Sequence, residues 1–146
     1  MASTEFSDLY RSVHGRDPFP WQERLAKQVL AEGWPEIIAV PTACGKTSVI
    51  DIAVFALALQ SERPAVERTA PLRVFFVIDR RLVVDDVARH AQKVADKVNE
   101  SAELGWMRER LKTFRGALPL ATAVLRGGMY RSDVWADQPN QPLGPG

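Results

Sequence analysis

The residues best suited to chemistry are Gly45, Lys46 and Thr47, which follow an apolar stretch and precede a helix-forming apolar run. Binding a nucleoside triphosphate requires backbone N–H groups around the phosphate oxygens, a lysine for the β and γ phosphates, and a hydroxyl that holds Mg²⁺. The segment "PTACGKT", residues 41–47, is therefore predicted to bind ATP and Mg²⁺, with Thr47 as the metal ligand. The predicted contacts from this loop are Thr42, Ala43, Cys44, Gly45, Lys46 and Thr47.

This loop departs from the full pattern G-x-x-x-x-G-K-[ST] at two positions. Val40 replaces the first glycine, and Ala43 stands where many such loops have glycine. The alternative is a lysine that lies near a helix start by chance. The apolar segments on both sides favour a phosphate loop. They predict a strand before the loop and, after it, a helix whose N-terminus faces the anion. Cys44 is either a small residue tolerated in the loop or a redox-sensitive thiol.

A glutamine with aromatic neighbours lies upstream of the loop. Gln22 precedes Lys46 by 24 positions and has Phe19 and Trp21 beside it. This arrangement looks like the Q-motif of superfamily 2 helicases, in which an amide both donates to and accepts from the adenine edge. Gln22 is therefore predicted to contact adenine; the alternative is a solvated glutamine on a helix. The same superfamily tolerates a non-glycine first position and commonly begins its loop with Pro-Thr.

A second apolar segment, residues 72–78, ends at Asp79 and is followed by Arg80 and Arg81. One interpretation is a Walker B strand whose carboxylate holds Mg²⁺ through water, but Arg80 occupies the position expected for a catalytic glutamate. The preferred interpretation is motif Ia of a superfamily 2 helicase, a strand-to-helix turn that faces a nucleic-acid strand. Arg80 and Arg81 are then contacts to the DNA backbone; a plain helix cap is the third possibility.

The elements that position these residues alternate between strands and helices. Strands are predicted at 36–40, 72–78 and 119–126, and helices at 4–13, 21–33, 49–60, 80–98 and 101–114. This alternation is typical of an α/β domain, here a partial RecA-like P-loop domain with a mostly parallel sheet flanked by helices. We expect an N-terminal helix and turn in residues 1–18 and an incomplete first RecA-like helicase domain in residues 19–146.

The composition is that of an ordinary soluble globular protein, with 46% hydrophobic and 25% charged residues. A net charge of +1 argues against attraction to nucleic acid by bulk charge, so any basic surface must be local. The single cysteine excludes an internal disulfide framework and fits a reducing compartment. No signal peptide or membrane-spanning run is visible, so we expect a cytoplasmic protein without membrane contact.

Four segments together resemble the N-terminal helicase region of the type I CRISPR-associated helicase-nucleases, in particular the variant group formerly called subtype I-U (I-G-like). They are residues 13–25, 40–58, 75–87 and 125–142. The resemblance implies a motor that hydrolyses ATP with Mg²⁺, moves along single-stranded DNA and is recruited by the Cascade surveillance complex. It implies adenine contact by Gln22, phosphate and Mg²⁺ contact by residues 45–47, and a DNA path along Arg80, Arg81, Arg126 and Gly127.

Several parts of that machinery are missing from these 146 residues. There is no D-E-x-H or D-E-A-D box, no second RecA-like domain with an arginine finger, and no paired His-Asp for a nuclease metal, since the only histidines are His14 and His90. Phosphoryl transfer depends on such positioned charges. We therefore expect an N-terminal fragment that binds ATP and single-stranded DNA with little or no hydrolysis, and without catalytic residues of its own.

Two other functions are compatible with the sequence. One is a non-catalytic helicase-like module that binds Cascade or DNA. The other is a small complete P-loop ATPase or kinase in which Asp79 is the magnesium carboxylate.

Overall fold

A central apolar helix organises the molecule. The computed structural model describes residues 4–41, 43–114 and 118–125. Helix α3 (Val49–Gln60) is apolar nearly all round, and ten of its twelve residues are buried. Because such a helix needs cover on every side, it is packed against α1 (Phe6–His14), α2 (Pro20–Glu32) and α5 (Gly105–Leu111).

The remaining long helix, α4 (Arg81–Glu100), packs against α1 and α5. Its buried residues recur at helical spacing, which gives it one apolar face; they are Val87, Ala91, Val94, Ala95 and Val98. Short 3₁₀ turns at Lys46–Ser48, Ala65–Glu67 and Lys112–Phe114 complete the regular structure. Helical residues make up 59% of the described part of the chain.

The predicted sheet is wrong. Within the described residues no strand forms, and the three predicted strand segments contain only isolated β-bridge positions, at Arg73 and Ala121. Some of their apolar side chains stay in solvent, with Ile37 80% exposed and Val77 93% exposed, whereas Leu120 is buried in the core. The molecule is therefore a mostly helical fold and not a RecA-like domain with a parallel sheet.

The physical reason for this failure is that a strand needs partners outside its own segment. A short apolar run becomes a parallel strand only when neighbouring strands satisfy its backbone and helices cover both faces. Here the apolar surface of α3 is covered by other helices instead. Segment 72–78 packs against the core through the partly buried side chains of Leu72, Phe76 and Ile78.

Both ends of α3 are held by buried glutamines. At its C-terminal end, Gln60 is fully buried and its Oε1 accepts hydrogen bonds from the backbone N–H groups of Thr69 (2.8 Å) and Ala70 (2.9 Å). At its N-terminal end, Gln22 of α2 is also fully buried and donates a hydrogen bond to Ser48, the residue that precedes α3. In the part of the chain that the structure describes, no helix is long and apolar enough to cross a bilayer.

Candidate functional site

The predicted phosphate loop lies between the extended segment that follows α2 and the start of α3. It enters the 3₁₀ turn Lys46–Ser48, which continues directly into α3. Two of its residues have positive φ, Ala43 at 64° and Gly45 at 73°. A left-handed conformation costs an alanine roughly 1–2 kcal/mol, and such strain is concentrated at binding sites. Ala43 therefore takes a backbone conformation that favours glycine, at a position where many such loops have one.

Two adjacent side chains of α2 hold the loop. Trp21 donates from Nε1 to the carbonyl of Cys44 at 2.9 Å. Gln22 donates from Nε2 to the carbonyl of Gly45 at 3.1 Å and to Ser48 Oγ at 2.6 Å. The structure thus brings Gln22 into direct contact with the loop, 23 residues away along the chain.

The amide of Gln22 is fully used in this arrangement. Its Oε1 accepts from the backbone N–H of Phe19 at 2.7 Å, both bonds of Nε2 go to the loop, and the side chain has no solvent exposure. An amide nitrogen has two hydrogens to donate. Adenine recognition by Gln22 therefore requires the exchange of at least one of these bonds.

There is no room for a side chain at Gly45. A Cβ built there would lie 2.7 Å from Gln22 Nε2 and 3.5 Å from the ring of Phe19. Phe19 is 41% exposed beside the loop. Two constraints therefore favour glycine at position 45: the left-handed backbone conformation and the close approach of Gln22.

Lys46 and Thr47 lie at the N-terminus of the helical segment, as the phosphate-loop prediction requires. Lys46 is exposed and Thr47 is half-buried. Lys46 has no ion pair within the described residues, so its ammonium group is available to an anion. Thr42, a predicted contact, lies outside the described residues.

Of the four predicted DNA contacts, the structure describes Arg80 and Arg81. Arg80 immediately precedes α4 and Arg81 is its first residue; both side chains are exposed. Asp79 is exposed as well. Arg126 and Gly127 lie outside the described residues, as does most of the segment 125–142 that contributes to the helicase resemblance.

A second polar site, which the sequence did not indicate, unites both histidines with one aspartate. His14 Nε2 lies 2.7 Å from Asp51 Oδ1, and His90 Nε2 lies 2.5 Å from Asp51 Oδ2. The two imidazole rings are 4.8 Å apart, centroid to centroid. The residues come from α1, α3 and α4, so this histidine–aspartate cluster joins three helices.

Burial and charge act in opposite directions on Asp51, which has no solvent exposure. Burial by itself would raise the pKa of its carboxyl group. Hydrogen bonds from His14 and His90, together with their positive charge, outweigh burial and hold the pKa of Asp51 below its ordinary value. Asp51 is therefore ionised at neutral pH.

One sequence signal could have found this cluster. Asp51 is the only charged residue in the apolar run 49–60, and a carboxylate in a buried helix is almost always paired. Its partners were not visible because they lie 37 and 39 residues away. Neither histidine is directly adjacent to an aspartate, so the sequence shows no His-Asp pair of the kind found in a nuclease motif.

Comparison with known proteins finds no matching family model, no matching curated protein and no matching solved structure. The helicase resemblance therefore rests on the four sequence segments alone.

Proposed function

We propose that the loop 41–48 binds the phosphates of ATP together with Mg²⁺. The observation that carries this proposal is the pair of hydrogen bonds from Trp21 and Gln22 to the consecutive carbonyls of Cys44 and Gly45. In a trans peptide the C=O and the following N–H point in opposite directions, and the described residues contain no cis peptide. The N–H groups of Gly45 and Lys46 therefore point away from α2.

These N–H groups are the donors that a phosphate needs. Within the described residues, the N–H groups of Gly45 and Lys46 donate no hydrogen bond. They stand at the N-terminal end of a helical segment, where the helix dipole also favours an anion. The exposed ammonium of Lys46 completes the anion site, and the hydroxyl of Thr47 is the proposed ligand for Mg²⁺.

The base is proposed to lie beside Phe19 and Gln22. Phe19 offers a partly exposed ring next to Gly45, on which a purine can stack. Contact between adenine and Gln22 would replace the bond from Gln22 Nε2 to Ser48 Oγ. Among the other predicted contacts, Ala43 and Cys44 contribute backbone to the same loop.

On the sequence resemblance, we further propose that the chain is the N-terminal part of an ATP-dependent DNA helicase of type I CRISPR interference. Single-stranded DNA and Cascade are then its partners, Arg80, Arg81, Arg126 and Gly127 its DNA contacts, and the cytoplasm its location. Because 146 residues hold neither a D-E-x-H box nor a second motor domain, little or no ATP hydrolysis is expected from them.

The test of nucleotide binding is a titration with a fluorescent ATP analogue in the presence of Mg²⁺. A charge-assisted contact is worth about 1.5–3 kcal/mol, so Lys46→Ala should weaken binding roughly 10- to 100-fold. Lys27→Ala removes an exposed lysine of α2 and should leave affinity unchanged. Absence of binding by the unaltered protein, or equal affinity of all three proteins, would overturn the proposal.

The DNA proposal is tested separately with a labelled single-stranded oligonucleotide at two salt concentrations. Replacing both Arg80 and Arg81 with glutamine should weaken binding and reduce its salt dependence, because phosphate contacts release counterions. Arg24→Gln, on the exposed side of α2, is the control. Unchanged DNA affinity in the double variant would contradict the proposed path while leaving the nucleotide site untouched.

A further inference from the structure

The histidine–aspartate cluster holds a buried carboxylate between two imidazoles. Asp51 is fully buried, and its hydrogen-bonding partners within the described residues are imidazoles, with no lysine or arginine among them. A bound cation would compensate the negative charge of this buried carboxylate, since an uncompensated buried charge is costly.

The donor atoms of the cluster are those that a transition metal prefers. They are two imidazole nitrogens and one carboxylate, and the three residues present ligand atoms that all lie within 4.8 Å of one another. Zn²⁺ is bound by two histidines and a carboxylate in open sites, where water takes the fourth position. Magnesium and calcium prefer oxygen ligands only, so they fit this set poorly.

We propose that His14, Asp51 and His90 form a binding site for a divalent transition-metal ion, with Zn²⁺ as the best match. This site is distinct from the phosphate loop and does not depend on nucleotide binding. It uses residues from α1, α3 and α4, so the bound ion would link three helices.

Metal binding requires shifts of the ligand atoms that can be compared with the geometry of a zinc site. Tetrahedral zinc, with bonds of about 2.0–2.2 Å, separates its ligand atoms by roughly 3.3 Å. The 2.7 Å and 2.5 Å separations between Asp51 and the two histidines are hydrogen-bond distances. These hydrogen bonds are given up on metal binding, and each imidazole coordinates as the neutral tautomer, with the lone pair of Nε2 toward the ion and its proton on Nδ1. Each imidazole nitrogen then moves away from Asp51 by under about 1 Å, and the two imidazole nitrogens, which lie within 4.8 Å of each other, settle at the same ligand separation.

Access to the site is from the side of His90. Its side chain is 19% exposed, whereas those of His14 and Asp51 are 8% and 0% exposed. An ion can therefore enter at the edge of α4 without unfolding the core, and a water molecule can occupy the fourth position there. The buried ring of Tyr10 packs on His14 with a centroid separation of 4.4 Å.

The test uses the full 146-residue chain without a histidine tag, stripped of metal with a chelator. Co²⁺ is the probe, because the intensity of its visible absorption distinguishes tetrahedral from octahedral sites. We expect intense bands that saturate at one equivalent and disappear when Zn²⁺ is added. Since the chain has only two histidines and one cysteine, few other strong ligands compete.

Three variants identify the ligands. His14→Gln and His90→Gln should each weaken Co²⁺ binding by about 100-fold or more, since even partners of metal ligands are worth 10- to 100-fold. Cys44→Ala is the matched control and should leave the spectrum unchanged. Circular dichroism establishes that each variant is folded.

A second measurement does not depend on variants. Ligands that bind only the folded state raise its melting temperature, so Zn²⁺ should raise the Tm of the unaltered protein, whereas Mg²⁺ at the same concentration should not. The proposal is overturned if the unaltered protein binds neither Co²⁺ nor Zn²⁺, or if binding survives in both histidine variants. It is equally overturned if binding is lost on Cys44→Ala.

Discussion

Two fully buried polar side chains, Gln22 and Asp51, secure the start of α3 by different chemistry. Gln22 reaches it from α2 through a neutral amide, whose oxygen and both N–H groups have partners. Asp51 lies in the first turn of α3, and its negative charge is stabilised by hydrogen bonds with two histidines, one from α1 and one from α4. Removing either side chain leaves buried groups without partners, but only the Asp51 network can change with pH or with a metal ion.

This difference separates two roles for buried polar groups. A satisfied amide fixes geometry independently of pH, here the orientation of the Gly45 carbonyl. A buried carboxylate among imidazoles adds a charge that the interior must balance. On our two proposals, the first network prepares the loop to bind an anion, and the second provides a place for a cation.

The largest effect is expected at Asp51. Asp51→Ala removes the shared acceptor of His14 and His90 and leaves two imidazoles without it in the interior, so we expect a loss of about 3 kcal/mol in the free energy of unfolding. Urea denaturation of metal-free protein measures it. Asp86→Ala, on the exposed side of α4 with a surface partner in Arg89, should change stability by less than about 0.5 kcal/mol. Similar losses in both variants would contradict a special role for Asp51.

The Asp51 contribution should also depend on pH. The pKa of Asp51 is lowered in the folded state, so its stabilisation is present above the unfolded value of about 3.9 and is lost as pH falls through the lower folded value. In metal-free protein, the stability difference between the unaltered chain and Asp51→Asn should therefore shrink at acid pH. A difference that stays constant down to acid pH would show that the carboxylate charge is not responsible.

The next effect is expected at Gln22. Gln22→Leu keeps the approximate volume but leaves the Phe19 N–H and the Gly45 carbonyl without this partner, at a cost of about 2 kcal/mol. The loss should be independent of pH, because an amide does not titrate. Gln28→Leu on the exposed side of α2 controls for the change in composition. Chemical denaturation at two pH values separates this variant from those at Asp51.

A smaller loss of stability is expected at Gly45, where the cost of backbone strain and the cost of close packing can be measured separately. Gly45→Ala should cost roughly 1–2 kcal/mol from its left-handed φ, and somewhat more from the contact with Gln22. Gly15 has nearly the same φ, 71° against 73°, but an added Cβ there meets nothing within 4 Å. Gly15→Ala therefore gives the backbone term alone. Equal losses of unfolding free energy at the two positions would show that the contact between the added Cβ and Gln22 has no energetic cost.

The smallest effect is expected at Trp21. Trp21→Phe retains an aromatic ring but loses the Nε1 hydrogen bond to the Cys44 carbonyl, so we expect about 1 kcal/mol of destabilisation. Affinity for the ATP analogue should fall as well, because the Gly45 N–H is no longer held in position. Trp34→Phe, at a partly buried tryptophan of the core margin, is the comparison. Full nucleotide affinity in Trp21→Phe would remove the main support for a preorganised loop.

The helices were predictable from the sequence and the sheet was not. The predicted helix at 49–60 is confirmed as α3, and those at 21–33 and 80–98 are confirmed to within two residues at each end as α2 and α4. Apolar periodicity indicates a helix because its hydrogen bonds close within the segment itself. Segments 36–40 and 72–78 have the composition of strands, but strand hydrogen bonds depend on distant partners, and within these two segments only one isolated bridge position forms, at Arg73.

For the candidate sites, the sequence by itself determined which residue types are present: the loop with Gly45, Lys46 and Thr47, and a single charge in an apolar helix at Asp51. Only the tertiary structure decided that Trp21 and Gln22 orient the carbonyls of the loop, and that His14 and His90 converge on Asp51. The reason is that these contacts join residues 23 to 39 positions apart. No local pattern encodes such distances, which are set by how α1, α2 and α4 are placed around α3.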